Sequence, residues 1–99
     1  MKKTIYLLKE LFNIPLRLDY NSKIKMCRES QRPIKRHLPC HKEPETCKWI
    51  QDYVNEGDVF YDIGCCAGGY SFVAELNGAL VYAFDPEENL ILKNIQMNK

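Results

Sequence analysis

Two short apolar runs, separated by a stretch of helical length, constrain the fold of this 99-residue chain more than any other feature. The first, Val59, Phe60, Tyr61 and Ile63, is punctuated by Asp62 and closed by Gly64. The second, Ala79 to Phe84, follows Asn77-Gly78 and ends at Asp85-Pro86. Near-continuous apolar runs of this length read as strands buried on both faces, the pattern of a parallel sheet. Residues Tyr70 to Leu76 give about two helical turns between them, and a parallel pair needs such a crossover. After Pro86, Glu87 and Glu88 suit a helix's first turn, where the macrodipole favours acids, and Leu90, Ile91 and Ile95 continue that helix to about Asn98. The second half is therefore a βαβα unit of the α/β class.

Upstream, Pro44 fits the first position of a helix, whose face carries Cys47, Ile50 and Val54 and which stops near Gly57. Trp49 beside that face is expected in the core. Leu16, Leu18 and Tyr20 alternate, Asn21-Ser22 supplies turn chemistry, and Ile24 and Met26 resume the alternation, predicting a hairpin over about residues 14 to 29. Residues 30 to 43 read as a connecting loop with Arg32, Lys35, Arg36, Pro33 and Pro39. Ile5, Leu8, Leu11 and Phe12 predict a short amphipathic helix over 3–12, ending before Pro15. The expected organisation is an amino-terminal helix, hairpin and loop (1–42) followed by the α/β portion (43–99).

With 45% apolar and 27% charged residues the chain has the composition of one globular domain. A parallel sheet covered on both faces ordinarily takes more chain than this, so 43–99 reads as part of a larger unit. The net charge of +1 argues against a chain-wide footprint for nucleic acid, and no nucleic-acid partner is expected. The charge is nevertheless divided: residues 1–42 hold eleven Lys/Arg and three Asp/Glu, residues 43–99 three and ten. No stretch approaches the roughly 18 to 20 uncharged apolar residues of a membrane span. Lys9 and Glu10 interrupt the apolar run after Met1-Lys2-Lys3 and no small-residue cleavage pattern follows, which gives a cytoplasmic reading. Five cysteines, two of them adjacent, lack the spacing of a disulfide framework and read as reduced thiols. His37, Cys40, His41 and Cys47 fit no standard zinc spacing, so no metal is expected.

The chemistry concentrates in the turn leaving the first strand of the βαβα unit. In an open parallel sheet ligands sit beyond the carboxyl ends of the strands. Gly64 lets backbone approach a ligand with no Cβ between, Gly68 lets a helix begin close against the sheet, and the amides at that helix start favour an anion. Asp85, at the end of the next strand, is placed to accept hydrogen bonds from both hydroxyls of a ribose. The segment is not the G-x-G-x-x-G dinucleotide fingerprint, because Cys65 and Cys66 follow Gly64. Asp62 repels a pyrophosphate but suits a ligand bearing an ammonium and a sulfonium, and S-adenosylmethionine combines these with a ribose diol and a carboxylate. A reactive thiol at a helix start is the alternative reading of Cys65 and Cys66.

These residues resemble the S-adenosylmethionine-dependent methyltransferases, and within them the FkbM-like group. The likeness rests on Glu43-Pro44-Glu45-Thr46 leading to Trp49-Ile50, on Gly57-Asp58-Val59-Phe60 with Asp62-Ile63-Gly64, Gly68, Tyr70 and Ser71, and on Val81 to Pro86 with Asn94-Ile95 and Asn98. It covers residues 43–98 well and the preceding hairpin loosely. The resemblance implies a Rossmann-like methyltransferase fold, here its first βαβα portion preceded by a short helix and hairpin, that transfers a methyl group to a hydroxyl oxygen of a glycan or natural product. It maps the cofactor loop onto Asp62, Gly64, Cys65, Cys66 and Gly68 and the ribose-binding acid onto Asp85, an Asp where the family commonly has Glu. Cys65 and Cys66 stand where the family usually carries Ala and Asn. Family members continue through further strands, so the resemblance also implies a fragment, with a second chain completing the sheet as an expected partner. The covered region offers no identifiable general base. The rival readings are a nucleotide-binding or dehydrogenase-like module and a non-catalytic fragment.

Overall fold

Between residues 59 and 84 the chain forms a parallel strand pair joined by a helix, and among the described residues only one face of that pair is packed against helices. The computed structural model describes residues 14–28 and 35–99. The helix expected over 3–12 and part of the connecting loop lie outside the described residues. In chain order the elements are β1 (Leu16–Arg17), β2 (Lys25–Met26), α1 (Pro39–Lys42), α2 (Pro44–Tyr53), β3 (Val59–Ile63), α3 (Gly69–Leu76), β4 (Leu80–Phe84) and α4 (Asn89–Met97). The fold is mixed α/β. Strands β3 and β4 run parallel in register, Val59 opposite Leu80, Tyr61 opposite Tyr82 and Ile63 opposite Phe84.

The expected hairpin is present but short: β1 and β2 pair antiparallel through Leu16 with Met26 and Arg17 with Lys25. Its turn is an Asx turn in which the Lys23 amide donates to Asn21 Oδ1 at 2.9 Å, and Leu18 N then donates to Ile24 O at 3.0 Å. The loop reading of 30–43 is corrected at its end, where α1 forms. Pro39 presets the helical φ at its first position, and the Asp19 carboxylate accepts from the amides of Cys40 and His41 at 3.3 and 2.8 Å. That cap comes from the hairpin, so no local pattern announces it. At the other end of the chain Glu87 and Glu88 precede α4 instead of forming its first turn.

Two apolar clusters form the core, and one of them packs against the sheet. Leu18 and Met26 of the hairpin meet Cys65, Ala67, Phe72 and Ile91 in one. In the other, Cys47 and Ile50 of α2 meet Val73, Ala74 and Ala79, with Phe60 and Val81 of the sheet packed against them. The expectation that both strand faces are buried is not met: Val59, Tyr61, Ile63, Leu80, Tyr82 and Phe84 are between 47% and 74% exposed. These are the alternate residues of each strand, and the described helices pack on the opposite side. Trp49 is likewise 54% exposed instead of core. Cys47 and Ile50, three apart, take the packed face of α2, while Trp49 and Tyr53, four apart, lie together on its outer side with ring centroids 6.2 Å apart.

Asn94 fastens the hairpin to the α/β part. Fully buried on α4, it accepts at Oδ1 from the Cys27 amide at 2.7 Å and donates through Nδ2 to the Ala67 carbonyl at 2.9 Å. One helical turn on, Asn98 accepts from Lys25 N at 2.7 Å and donates to Lys25 O at 2.8 Å, occupying the backbone of β2 as a neighbouring strand does. Among the described residues no helix is long and apolar enough to cross a membrane. Replacing Asn94 by Ala leaves the Cys27 amide and Ala67 carbonyl buried without these partners, at about 1–3 kcal/mol for each unsatisfied group. Chemical denaturation of N94A is expected to show a loss of about 3 kcal/mol; a loss below about 0.5 kcal/mol contradicts the fastening role.

Candidate ligand site at the β3–α3 turn

The turn from Gly64 to Gly68 follows the carboxyl end of β3 and bends back under α3. Gly64 (φ 78°), Cys66 (φ 51°) and Gly68 (φ 91°) all occupy left-handed backbone, which carries the chain from strand to helix within five residues. The turn is tied to β4 at three points. The amides of Gly64 and Cys65 both donate to the Phe84 carbonyl, at 2.7 and 3.0 Å, and the Cys66 amide donates to Asp85 Oδ2 at 2.9 Å. Asp85 Oδ1 accepts from the Glu87 amide at 2.9 Å, so one carboxylate fastens the turns that follow both strands.

The two glycines have different tasks. At Gly64 no atom lies within 4 Å of the place a Cβ would take, so the backbone there borders open space. At Gly68 a Cβ would run into the Ile91 side chain of α4. The close approach at Gly68 is therefore to a neighbouring helix and not to the sheet as expected, and the Cys65 carbonyl accepts from Gly68 N at 2.8 Å.

Two hollows meet at Gly64. One, of about 190 Å³, is lined by Lys35, Arg36 and Lys42 facing Gly64, Cys66 and Tyr70 at the start of α3. The other, of about 390 Å³, is bounded by Gly64, Phe84, Asp85, Pro86, Glu88 and Ile91. The first is basic and adjoins first-turn amides that have no intrahelical acceptor; the second is acidic. Tyr70 is held in the wall of the basic hollow by donating its hydroxyl to Glu43 Oε2 at 3.0 Å. Burial and the Glu43 carboxylate push its phenol pKa up, so it stays protonated.

Of the residues expected from the sequence, the structure brings Gly64, Cys65, Cys66, Gly68 and Asp85 into one turn. It does not bring Asp62 to them as a second ligand-facing acid. Residue 62 is an inward position in the β3 alternation, its Oδ2 accepts from Ser71 Oγ of α3 at 2.6 Å, and it lines neither hollow. The expectation that Asp62 and Asp85 bracket one hollow is corrected accordingly. Cys65 is buried, and burial followed by Asp62 and Asp85 pushes its pKa up to about 11, against the reactive-thiol reading at that position. Cys66 is exposed. The described residues contain no group of three His, Cys, Asp or Glu side chains arranged to hold a metal ion. Sequence reasoning missed Asp19, the Glu43–Tyr70 bond and the positioning role of Asn94; of these only Asn94 left a signal, a polar residue between Ile91 and Ile95 on an apolar helix face. No family model, curated protein or solved structure matches the chain.

The Glu87 amide first, and then that of Cys66, hold the Asp85 carboxyl below the ordinary value of 3.8. Because the folded value is the lower one, the tie contributes fully above the ordinary value and is lost as pH falls through the folded one. In a pH series of amide NMR spectra the Cys66 and Glu87 resonances are expected to share a midpoint below 3.8; a shared midpoint above it contradicts the hydrogen bonding.

Proposed function

We propose that the chain forms the cofactor-binding part of an S-adenosylmethionine-dependent methyltransferase of the FkbM-like type, with a Rossmann-like arrangement, acting on a hydroxyl oxygen of a glycan or natural product. The observation that supports this best is the division of the site at Gly64 into a basic hollow and an acidic one. S-adenosylmethionine divides its polar groups in the same way, a carboxylate at one end and a ribose diol at the other. Open space at Gly64 fits a ligand crossing between the hollows against bare backbone.

The roles follow from the contacts. Lys35, Lys42 and the first amides of α3 would attract the carboxylate. Asp85 has about four acceptor sites and accepts from the Cys66 and Glu87 amides, with the Cys66 thiol also beside it, so a ribose hydroxyl would take remaining acceptor capacity and compete with that thiol. Those same amides orient the carboxylate and keep it ionised. Phe84 and Ile91 give the acidic hollow an apolar wall for a heterocycle. Asp62 acts at one remove, positioning α3 through Ser71. When bound, the cofactor supplies a methyl group on a sulfonium, open to in-line attack by an acceptor hydroxyl. The acceptor itself and the proton-accepting base are not assigned to described residues.

A second reading, a nucleotide-binding module, draws on the same three cations, since Lys35, Arg36 and Lys42 also suit a phosphate. Titration calorimetry separates the two. S-adenosylhomocysteine is expected to bind the native chain, with affinity reduced at least tenfold in Asp85→Asn, while NAD and ADP bind more weakly. Tighter binding of NAD or ADP favours the nucleotide reading, and silence from all three ligands contradicts both.

A further inference from the structure

The amino-acid end of S-adenosylmethionine carries two charges, and the lining of the basic hollow answers only one of them. Lys35, Arg36 and Lys42 are there for a carboxylate, but among the described residues no Asp or Glu lines the hollow to receive an ammonium. Asp62, the acid expected to serve that cation, is turned to Ser71. One carboxylate reaches the wall from behind. Glu43 Oε2 accepts from the hydroxyl of Tyr70, a lining residue, at 3.0 Å and from Thr46 Oγ1 at 3.2 Å. Glu43 follows Lys42 and fills the single position between α1 and α2. Its amide donates to Pro39 O at 2.8 Å and its carbonyl accepts from Thr46 N at 3.1 Å, so both helices fix its backbone. It stands at the N-cap of α2 yet makes no cap hydrogen bond through its side chain. The carboxylate is committed instead to Tyr70, 27 residues away in the chain. A phenol whose proton is spent on a carboxylate has only lone pairs left to offer. Burial first, and then Glu43, push the Tyr70 pKa up, so that proton stays in place.

We infer that Tyr70, backed by Glu43, accepts a hydrogen bond from the ammonium of the ligand's amino-acid end and so makes the basic hollow selective for a zwitterion over a simple anion. The inference rests on the S-adenosylmethionine reading above and names the groups that sort its ligands. Tyr70 touches the ligand, and Glu43 is a positioning residue that acts through it. Three cations alone would repel an ammonium. The Glu43 carboxylate offsets that repulsion, and a hydrogen bond with an ionised partner is roughly twice as strong as a neutral one. The same carboxylate disfavours a phosphate, which brings negative charge and no cation, so the pair adds a repulsive element against nucleotides. A bond that merely tied α2 to α3 would hold the hollow's shape for every ligand alike, whereas amine recognition acts on one functional group.

The test is titration calorimetry of the full chain with S-adenosylhomocysteine and with its deamino analogue, in which hydrogen replaces the amino group. The native chain is expected to bind the former about tenfold more tightly or better, the effect of one hydrogen bond to a charged group. In Tyr70→Phe and Glu43→Gln that preference is expected to fall below about threefold, with affinity for the deamino analogue kept within about twofold of native. Affinity for ADP is expected to stay level or rise in Glu43→Gln. Far-UV circular dichroism of the variants must match the native chain; should either unfold, the native comparison of the two ligands still decides. A native chain that binds both ligands equally overturns the inference while leaving the cofactor reading intact. Folded variants that lose affinity for both ligands in equal measure overturn it too, because the pair then serves only the shape of the hollow. A native chain that binds neither ligand removes the cofactor reading and this inference with it.

Discussion

A single buried carboxamide, that of Asn94, joins three segments that are remote in the chain. Its oxygen holds the edge of the hairpin, its nitrogen holds the carbonyl of Ala67 inside the β3–α3 turn, and its backbone belongs to α4. In a site sealed from water each of these groups needs a partner, and one side chain with an acceptor and a donor at opposite corners satisfies both. The consequence reaches the candidate site directly. The turn that borders both hollows is pinned from beneath by Asn94 at Ala67 and from the side by Asp85 at Cys66, so its left-handed residues are over-determined by the fold.

That double pinning is what would suit a short turn to the cradle role we propose for it. Left-handed backbone at Cys66 costs energy that a free loop would relax. Here the Cys66 amide is committed to a carboxylate from the next strand, and Gly68 sits against Ile91 too closely to admit a side chain. Backbone amides and a carboxylate fixed before a ligand arrives need no reorganisation when it binds, which is the advantage of a preorganised site. The basic wall formed by Lys35, Arg36 and Lys42 also gives a local expression to the charge division between the two halves: cations of the first half face the glycine turn of the second.

Much of this was legible in the residues. The two apolar runs specify parallel strands, the spacing between them specifies a crossover helix, and the glycines at 64 and 68 mark the turn; all three are local signals and all three hold. The expectation of strands buried on both faces failed because hydrophobicity reports what a strand would accept, not what the rest of the chain supplies. Trp49 failed for a related reason: Cys47 and Ile50 already occupy the packed face of α2, and a large aromatic four residues from Tyr53 is satisfied by that neighbour at the surface. Asp62 was assigned from its position at a strand end, but strand alternation decides its direction, and it faces inward to Ser71. The caps and ties made by Asp19, Glu43 and Asn94 depend on tertiary proximity that no local pattern encodes.

The central claim is that the β3–α3 turn, held by Asp85, is the place where a ligand with a carboxylate at one end and a diol at the other crosses between two hollows. The most direct measurement is an amide chemical-shift map of the full chain with increasing S-adenosylhomocysteine. The account predicts that the largest saturable shifts fall on Gly64, Cys66, Gly69, Tyr70 and Glu87, while Asn55, Gly57 and Asp58 at the opposite ends of the strands stay unmoved. Shifts confined to those opposite ends, or none at any concentration, would contradict it.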